Sequence, residues 1–485
     1  MLPCHGRGRG FESRPVRNHK SIKMEKFIHL SEEILKPEKD LLDIPSGTEV
    51  EVFGMIHNTR ITKWGGFIIL RKAKGLLQTV FQNETAEVTD LNGRKIKVGD
   101  LSRETAVKIK GTINTANIKD VNVFYKTVEV SVKSIEVLSV PTAENLIDVT
   151  SLSYESDANF TFKLDNRQIT LRNTRDIAIF KVSAQIVKAF TDYLTSNNFT
   201  QIFTPKIVSA GAEGGANIFE LEYFGKKAYL AQSPQFYKQI GVGVFERVFE
   251  IAPVYRAEKH STSRHLNEYI SIDLEMGFIK DHNDIMQLEA KVLRYVLEQV
   301  ENNCKHELAI LNSTIPKLPN KIPIYRLSEV HEVLHEHYAD KLSQDHRGEP
   351  DLAPEEEVFI CDYANKTFNS DFVFVTHFPR KHRAFYSYDD PENPELTLSF
   401  DLIMRGKEIT SGSQRIHKAE QYIAKMKDLG MNPDNFKFYL DTFKNGMPPH
   451  GGLAIGLERL TAGILNIQNV KEASLFPRDI NRITP

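Results

Sequence analysis

The sequence predicts an α+β protein: an N-terminal OB-fold β-barrel followed by a larger domain built on an antiparallel sheet flanked by helices. Three observations carry this. Residues 49–53, 66–70, 76–81, 106–110 and 127–132 are short β-prone segments separated by Gly/Asn-rich turns. Five such strands within about 95 residues fit a small closed barrel. Further along, Ile179, Val182, Ile186, Phe190 and Leu194 recur at helical spacing, which predicts an amphipathic helix. Then Ile270, Ile272, Leu274, Met276 and Phe278 alternate with Tyr269, Ser271, Asp273, Glu275 and Gly277, the period-two signature of an antiparallel strand with one apolar and one polar face.

At 485 residues the chain has length for two or more domains. The expected divisions are an extension at 1–23, the barrel at 24–140, a polar linker opening at Pro141 and running over 141–166, and the α+β domain at 167–485. The charged, proline-containing stretch 340–357 reads as an exposed loop. Residues 1–23 carry six Lys/Arg against one acid, Glu12. They lack the apolar segment of a secretory signal. A disordered RNA-touching arm, a transit peptide and a conceptual-translation artefact with Met24 as the true start all remain open, the last favoured.

Composition is ordinary, with 41% hydrophobic and 26% charged residues and no apolar run long enough for a bilayer. Cys4, Cys304 and Cys361 are far apart and without metal-ligand spacing, so they read as free thiols in a reducing cytoplasm. A net charge of −2 offers no bulk field for nucleic acid, and any RNA binding must rest on local patches.

Three segments carry the chemistry. The run from Gly451 to Leu460 reads as a glycine-rich turn before an amphipathic helix that holds Glu458 and Arg459. A closely approachable backbone beside a fixed guanidinium suits a polyphosphate, although such glycines alone usually just make a turn. The run from Arg247 to Glu258 is a strand entering a polar loop that carries Arg256, Glu258, Arg264 and His265 and returns into the alternating strand. Thr204-Pro205-Lys206 follows the helical repeat. In this order and spacing they resemble the three motifs of the class II aminoacyl-tRNA synthetases. The strings Ala212-Glu213-Gly214-Gly215, Gln232 to Gln239, Phe400-Asp401-Leu402, Arg405 to Gly412 and Gly446 to Gly452 narrow the resemblance, which runs from about residue 26 to the end. They are similar to the aspartyl-tRNA synthetases of the archaeal and eukaryotic type.

That resemblance implies a homodimer through the motif holding Pro205, with ATP, L-aspartate and tRNA(Asp) as substrates and Mg2+ as cofactor. Arg256 and Arg459 match the catalytic arginines. Arg256, Ala257, Glu258, Arg264, His265, Leu266, Glu408, Gly456, Leu457, Glu458 and Arg459 match the ATP site. Glu213, Gln235, Phe236, Tyr237, Lys238, Arg256, Ser411 and Arg415 match the aspartate site. Within it Glu213 would take the ammonium, and Lys238 and Arg415 the side-chain carboxylate. Glu408 and Ser411 match the metal position, with Asp401 assisting through water. His57, Phe67 and Gln78 match anticodon contacts. Arg60, Lys63 and Arg71 lie close enough in sequence to meet phosphates. Histidine at position 57, where enzymes restricted to tRNA(Asp) often carry tryptophan, is associated in the family with charging of tRNA(Asn) as well. Charging of both tRNAs is therefore expected, with a strictly tRNA(Asp)-specific enzyme as the alternative. An asparaginyl enzyme, a tRNA-independent paralogue and an inactive RNA-binding paralogue are the competing expectations.

Overall fold

The computed structural model describes residues 40–83, 86–144, 146–150, 157–209 and 217–485. The barrel strands are β1 (Glu49–Ile61), β2 (Gly65–Arg71), β3 (Leu76–Gln82), β4 (Ala106–Thr115) and β5 (Val128–Ser139). They pair in the order β3-β2-β1-β4-β5, and a parallel β3–β5 pairing closes the ring. All five predicted segments fall on these strands, the last beginning one residue before Val128. Ile56, Ile68, Leu77, Val107 and Val130 point inward and are buried, as strand alternation requires. A β-bulge at His57 interrupts the β1–β2 register between Ile56 and Asn58.

The second domain opens with α1 (Asp157–Asp165), inside the stretch read as linker, and continues with α2 (Thr174–Ser196). The five apolar positions predicted for a helix are all buried on α2. Asp176 on α2 is wholly buried. It pairs with Lys163 of α1 at 3.0 Å and with Arg167 at 2.9 Å. Arg167 also donates to the carbonyls of Glu472, Ser474 and Leu475, tying the C-terminal segment to the domain entrance.

Among the described residues the central sheet has eight strands: β6 (Thr200–Gln201), β7 (Arg247–Tyr255), β8 (Glu268–Gly277), β9 (Ile324–Arg326), β10 (Phe372–Thr376), β11 (Ser399–Met404), β12 (Lys407–Arg415) and β13 (His450–Gly456). Their order is β9-β10-β11-β12-β13-β8-β7-β6. Pairings are antiparallel except at the two edges, β9–β10 and β7–β6. On β8, Ile272 and Leu274 join the main core with α2 and α4 (His282–Asn303). The opposite face, Ser271, Asp273 and Glu275, is buried as well. It is the floor of a cleft and not a solvent-facing surface.

Two local readings are corrected. Gly451 and Gly452 do not make a turn; they sit in β13 between β12 and β8, and neither has positive φ. They serve close packing. A Cβ on Gly452 would lie 2.1 Å from Glu275 Oε2 and 2.2 Å from the Leu274 carbonyl oxygen. The stretch 340–357 is a loop only as far as 353. Pro354 opens helix α5 (Pro354–Phe368), and Glu356 and Glu357 are buried on its first turn.

Barrel and second domain meet through Glu104. Its carboxylate receives both Arg71 terminal nitrogens (2.9 and 2.6 Å) and Arg172 (2.8 Å). Arg71 therefore belongs to the joint and is not offered to phosphates. Cys304 and Cys361 are buried free thiols; Cys4 lies outside the described residues. No helix among them is long and apolar enough to cross a membrane.

Behind the sheet, Glu289 on α4 is buried near Thr410 and Asp401, and burial pushes its carboxyl up to about 8. A folded-state pKa above the unfolded value favours folding fully below about pH 4.5, and that contribution is lost as pH rises towards 8. Glu289→Gln is expected to flatten this dependence. In urea denaturation at pH 5 and pH 8 the parent should lose stability relative to the variant, by at most about 1.4 kcal/mol per pH unit.

Candidate active site

The cleft over the polar face of β8 has two connected chambers of about 240 and 260 Å³. Together they fall in the range of small-molecule sites. Arg256, Tyr269, Ser271, Glu408, Ser411 and Ala454 line both.

The outer chamber is built around arginines. Arg256 leaves the end of β7 with its backbone clamped. Its N–H donates to the Asn267 carbonyl at 2.9 Å, and Asn267 Nδ2 donates back to the Arg256 carbonyl at 2.9 Å. Its guanidinium stands 6.0 Å from the Tyr269 ring centre. Arg459, on helix α6 (Leu457–Ile464), donates to the backbone carbonyls of Glu408 at 3.1 Å and Arg264 at 3.3 Å. Arg264 pairs with Glu357. Glu357 also accepts the Glu408 backbone N–H at 2.7 Å, and burial raises its carboxyl to about 7 against the pull of Arg264. The sequence reading missed Glu357, since it lies in the charged stretch 340–357 read as an exposed loop. His265 lines the chamber, and burial followed by Arg459 depresses its pKa.

Not every predicted residue faces the chamber in the same way. Glu258, Leu266 and Gly456 line it. A Cβ on Gly456 would meet nothing closer than 3.8 Å, so the space it leaves open belongs to the cleft. Glu458 also lines it, but both carboxylate oxygens accept the Ile270 backbone N–H (3.2 and 3.1 Å), and burial raises the group to about 7. It ties α6 to β8. Leu457 is buried in the core, and Ala257 contributes a backbone N–H to the Asn217 carbonyl at 2.7 Å. Neither lines the cleft.

Where the chambers meet, Glu408 and Ser411 on β12 present oxygens to the opening, Glu408 with 37% of its side chain exposed. Asp401 is their neighbour on β11 and is held by Arg383 at 3.1 Å, which also donates to Ser411 Oγ at 3.2 Å. No cluster of three His, Cys, Asp or Glu ligands exists among the described residues. Two hard oxygens at an open cleft fit a cation such as Mg2+ that takes the rest of its shell from water and phosphate. They do not fit a closed protein cage.

The inner chamber ends on a buried charge lattice. Lys238, on helix α3 (Gln235–Phe245), lies 2.9 Å from Asp273 and 3.5 Å from Glu275, and donates to the Leu453 carbonyl at 3.1 Å. Arg415 grips Glu275 at 2.8 and 3.3 Å and donates to Ser413 Oγ at 2.6 Å. Burial works against the Glu275 charge, but Arg415 and Lys238 outweigh it and hold the carboxyl below its usual range. Ser271 donates to Asp273 at 2.6 Å. Asp273 and Glu275 were missed as site residues although their signal, the polar face of the alternating strand, was visible.

Gln235 lines the chamber and donates to Gln239 at 2.9 Å. Gln239 Nε2 lies 2.8 Å from His450 Nε2, while His450 Nδ1 lies 2.8 Å from the Pro448 carbonyl. Nδ1 must therefore carry the proton and Nε2 accept. Phe236 is packed behind the site against Phe385, Phe436 and Tyr439, and half-buried Tyr237 is not among the lining residues. Glu213 lies outside the described residues.

On the barrel, half-buried Phe67 pairs with Arg60 and Val80, and Gln78 pairs with Ile69 and donates to Glu129 at 2.8 Å. These side chains share the outer face of β1–β3. His57 sits apart at the bulge, buried beside Arg71 and Glu104, and burial lowers its pKa to about 4.

Residues 159–480 match the family described as tRNA synthetases class II (D, K and N). The chain is 44% identical to an aspartate–tRNA(Asp/Asn) ligase of Thermus thermophilus over 90% of its own length and 97% of the relative's. For the enzyme of that name from Deinococcus radiodurans the figures are 42%, 90% and 96%. Among solved structures, asparaginyl-tRNA synthetase of Pyrococcus horikoshii superposes with a TM-score of 0.79 at 27% identity, covering 91% and 97% of the two chains. A putative aspartyl-tRNA synthetase of Leishmania major gives 0.78 at 25%, covering 92% and 94%.

Removing one member of a buried ion lattice strands the others in low dielectric. Lys238→Met is expected to cost about 3–5 kcal/mol of stability, read as a lowered urea midpoint with an unchanged slope.

Proposed function

We propose, from the premise that the chain belongs to the class II tRNA synthetases (D, K and N), that it attaches L-aspartate to tRNA at the expense of ATP. The observation that carries this reading is the ionic composition of the inner chamber. Four cations, Lys238, Arg256, Arg383 and Arg415, line it against one lining carboxylate, Glu408, while Asp273, Glu275 and Asp401 hold three of those cations from behind. This lining offers guanidinium and ammonium donors to both carboxylates of aspartate. Asparagine would turn an amide towards those donors and give up charge-assisted hydrogen bonds, which lowers its standing as a substrate.

In the first step an oxygen of the α-carboxylate attacks the α-phosphorus in line, and the bond to the bridging oxygen breaks to release pyrophosphate. A carboxylate needs no base, so the demand on the protein is positioning and charge. Arg256 borders both chambers, where its planar fork can hold the carboxylate and the α-phosphate together. Arg264 and Arg459 face the outer phosphates. The ammonium is the role expected of Glu213, while Asp273 is taken up by Lys238 and Ser271. Glu408 and Ser411 would hold magnesium, which supplies positive charge to the phosphates. In the second step the terminal ribose 3′-hydroxyl attacks the acyl carbonyl and AMP departs.

The barrel face around Phe67 and Gln78 receives the anticodon loop, since unpaired bases are read by stacking and edge contacts. Charging of tRNA(Asn) alongside tRNA(Asp) is favoured by the names of the relatives above and by His57. A homodimer is supported by exposed Phe203 and Ile207 flanking Pro205, together with exposed Val244 and Phe278. Unpaired Cys304 and Cys361 suit the cytoplasm.

Two assays test this. Pyrophosphate exchange into ATP is expected with aspartate and not with asparagine; exchange with asparagine alone would overturn the substrate assignment. Labelled aspartate is expected to charge transcripts bearing either the aspartate or the asparagine anticodon. Charging of the first alone would restrict the enzyme to tRNA(Asp), and charging of neither would remove the tRNA reading.

A further inference from the structure

Trp64 is the one tryptophan of the chain, and 54% of it is exposed. It sits at the tip of the β1–β2 hairpin, where a large apolar ring has no core to enter. The tip is held in one shape. Thr62 donates to the Gly65 carbonyl through its backbone at 2.7 Å and its hydroxyl at 3.0 Å. Asn83 donates to the Trp64 carbonyl at 3.2 Å and to the Lys63 carbonyl at 3.2 Å. A Cβ on Gly65 would fall 2.0 Å from the Phe81 carbonyl oxygen, and one on Gly66 2.0 Å from that of Arg60. The hairpin therefore presents Trp64 rigidly, so binding through it loses little conformational entropy.

The indole stands perpendicular to the Phe67 ring with centroids 6.0 Å apart. Exposed Arg60 is the cross-strand partner of Phe67, and exposed Lys63 precedes Trp64. Two aromatic faces at right angles cannot both lie against one continuous stack of bases. They suit two bases splayed apart, with cations at hand for the phosphates between them. A duplex cannot present bases this way, but an unpaired loop can.

We propose that Trp64 is a second stacking platform of the barrel, seating a nucleobase of the tRNA anticodon loop next to the one carried by Phe67. This rests on the tRNA reading above and adds a residue that the family resemblance did not mark.

Because the chain has a single tryptophan, emission excited at the red edge, where tyrosine does not absorb, reports this residue alone. Titration of the full chain with a tRNA transcript bearing the aspartate anticodon is expected to change Trp64 emission saturably. The isolated anticodon stem-loop should reproduce the change. Trp64→Ala is expected to raise the KM for tRNA by roughly 5- to 150-fold, the range for loss of one stacked base, and Trp64→Phe should recover most of that loss. Unchanged emission at saturating tRNA, with a parental KM in Trp64→Ala, would overturn the proposal. If Phe67→Ala still raises that KM, Trp64 alone is removed from the face. If Phe67→Ala is also silent, the barrel's part in tRNA binding falls with it.

Discussion

The fold is organised around four charges that have left water together. Lys238, Asp273, Glu275 and Arg415 come from α3, β8 and β12, and each is almost wholly buried. Isolated ions in such a place are prohibitively unfavourable, whereas alternating signs at hydrogen-bond distance are tolerated. The lattice forces three elements into one arrangement, and β13 can cross beneath it only because Gly452 has no side chain to strike Glu275. The specificity proposed for the inner chamber and the close packing of the central sheet therefore draw on the same atoms.

The outer chamber follows a looser version of the same rule. Its arginines are restrained by backbone carbonyls and by Glu357 and Glu408. Cations gathered this closely would otherwise repel one another, and these partners hold them in place. Such preorganisation avoids reorganising dipoles at the moment of reaction.

Patterns of local origin were legible in the sequence. The barrel strands, α2 and β8 follow from spacings of two and of three to four residues, and the arginines were found through contiguous motif strings. What escaped depended on contacts between distant segments. Glu357 becomes a site residue only because α5 packs against β12, and in its own run it looks like surface charge. Asp273 and Glu275 were visible as a polar strand face, yet whether such a face meets water or a cleft is decided by the strands and helices above it. The Gly451–Gly452 pair reads as a turn because glycine has no side chain; in the centre of a sheet the same property answers a packing need. Phe236 sits in a string that marks the aspartate site, but chain neighbours on a helix point in different directions, and its ring went to the aromatic cluster behind it.

The joint at Glu104 fastens the barrel to the second domain, together with the contacts of Thr174 with Asn122 and of Lys181 with the Lys74 carbonyl. Its carboxylate is 7% exposed, but Arg172, the arm that crosses between the domains, is 39% exposed, so that pair stays open to ionic screening. On the proposed function, an RNA that meets both the barrel face and the cleft has to span the separation these contacts help to fix, so the joint would act as a caliper on the partner's length.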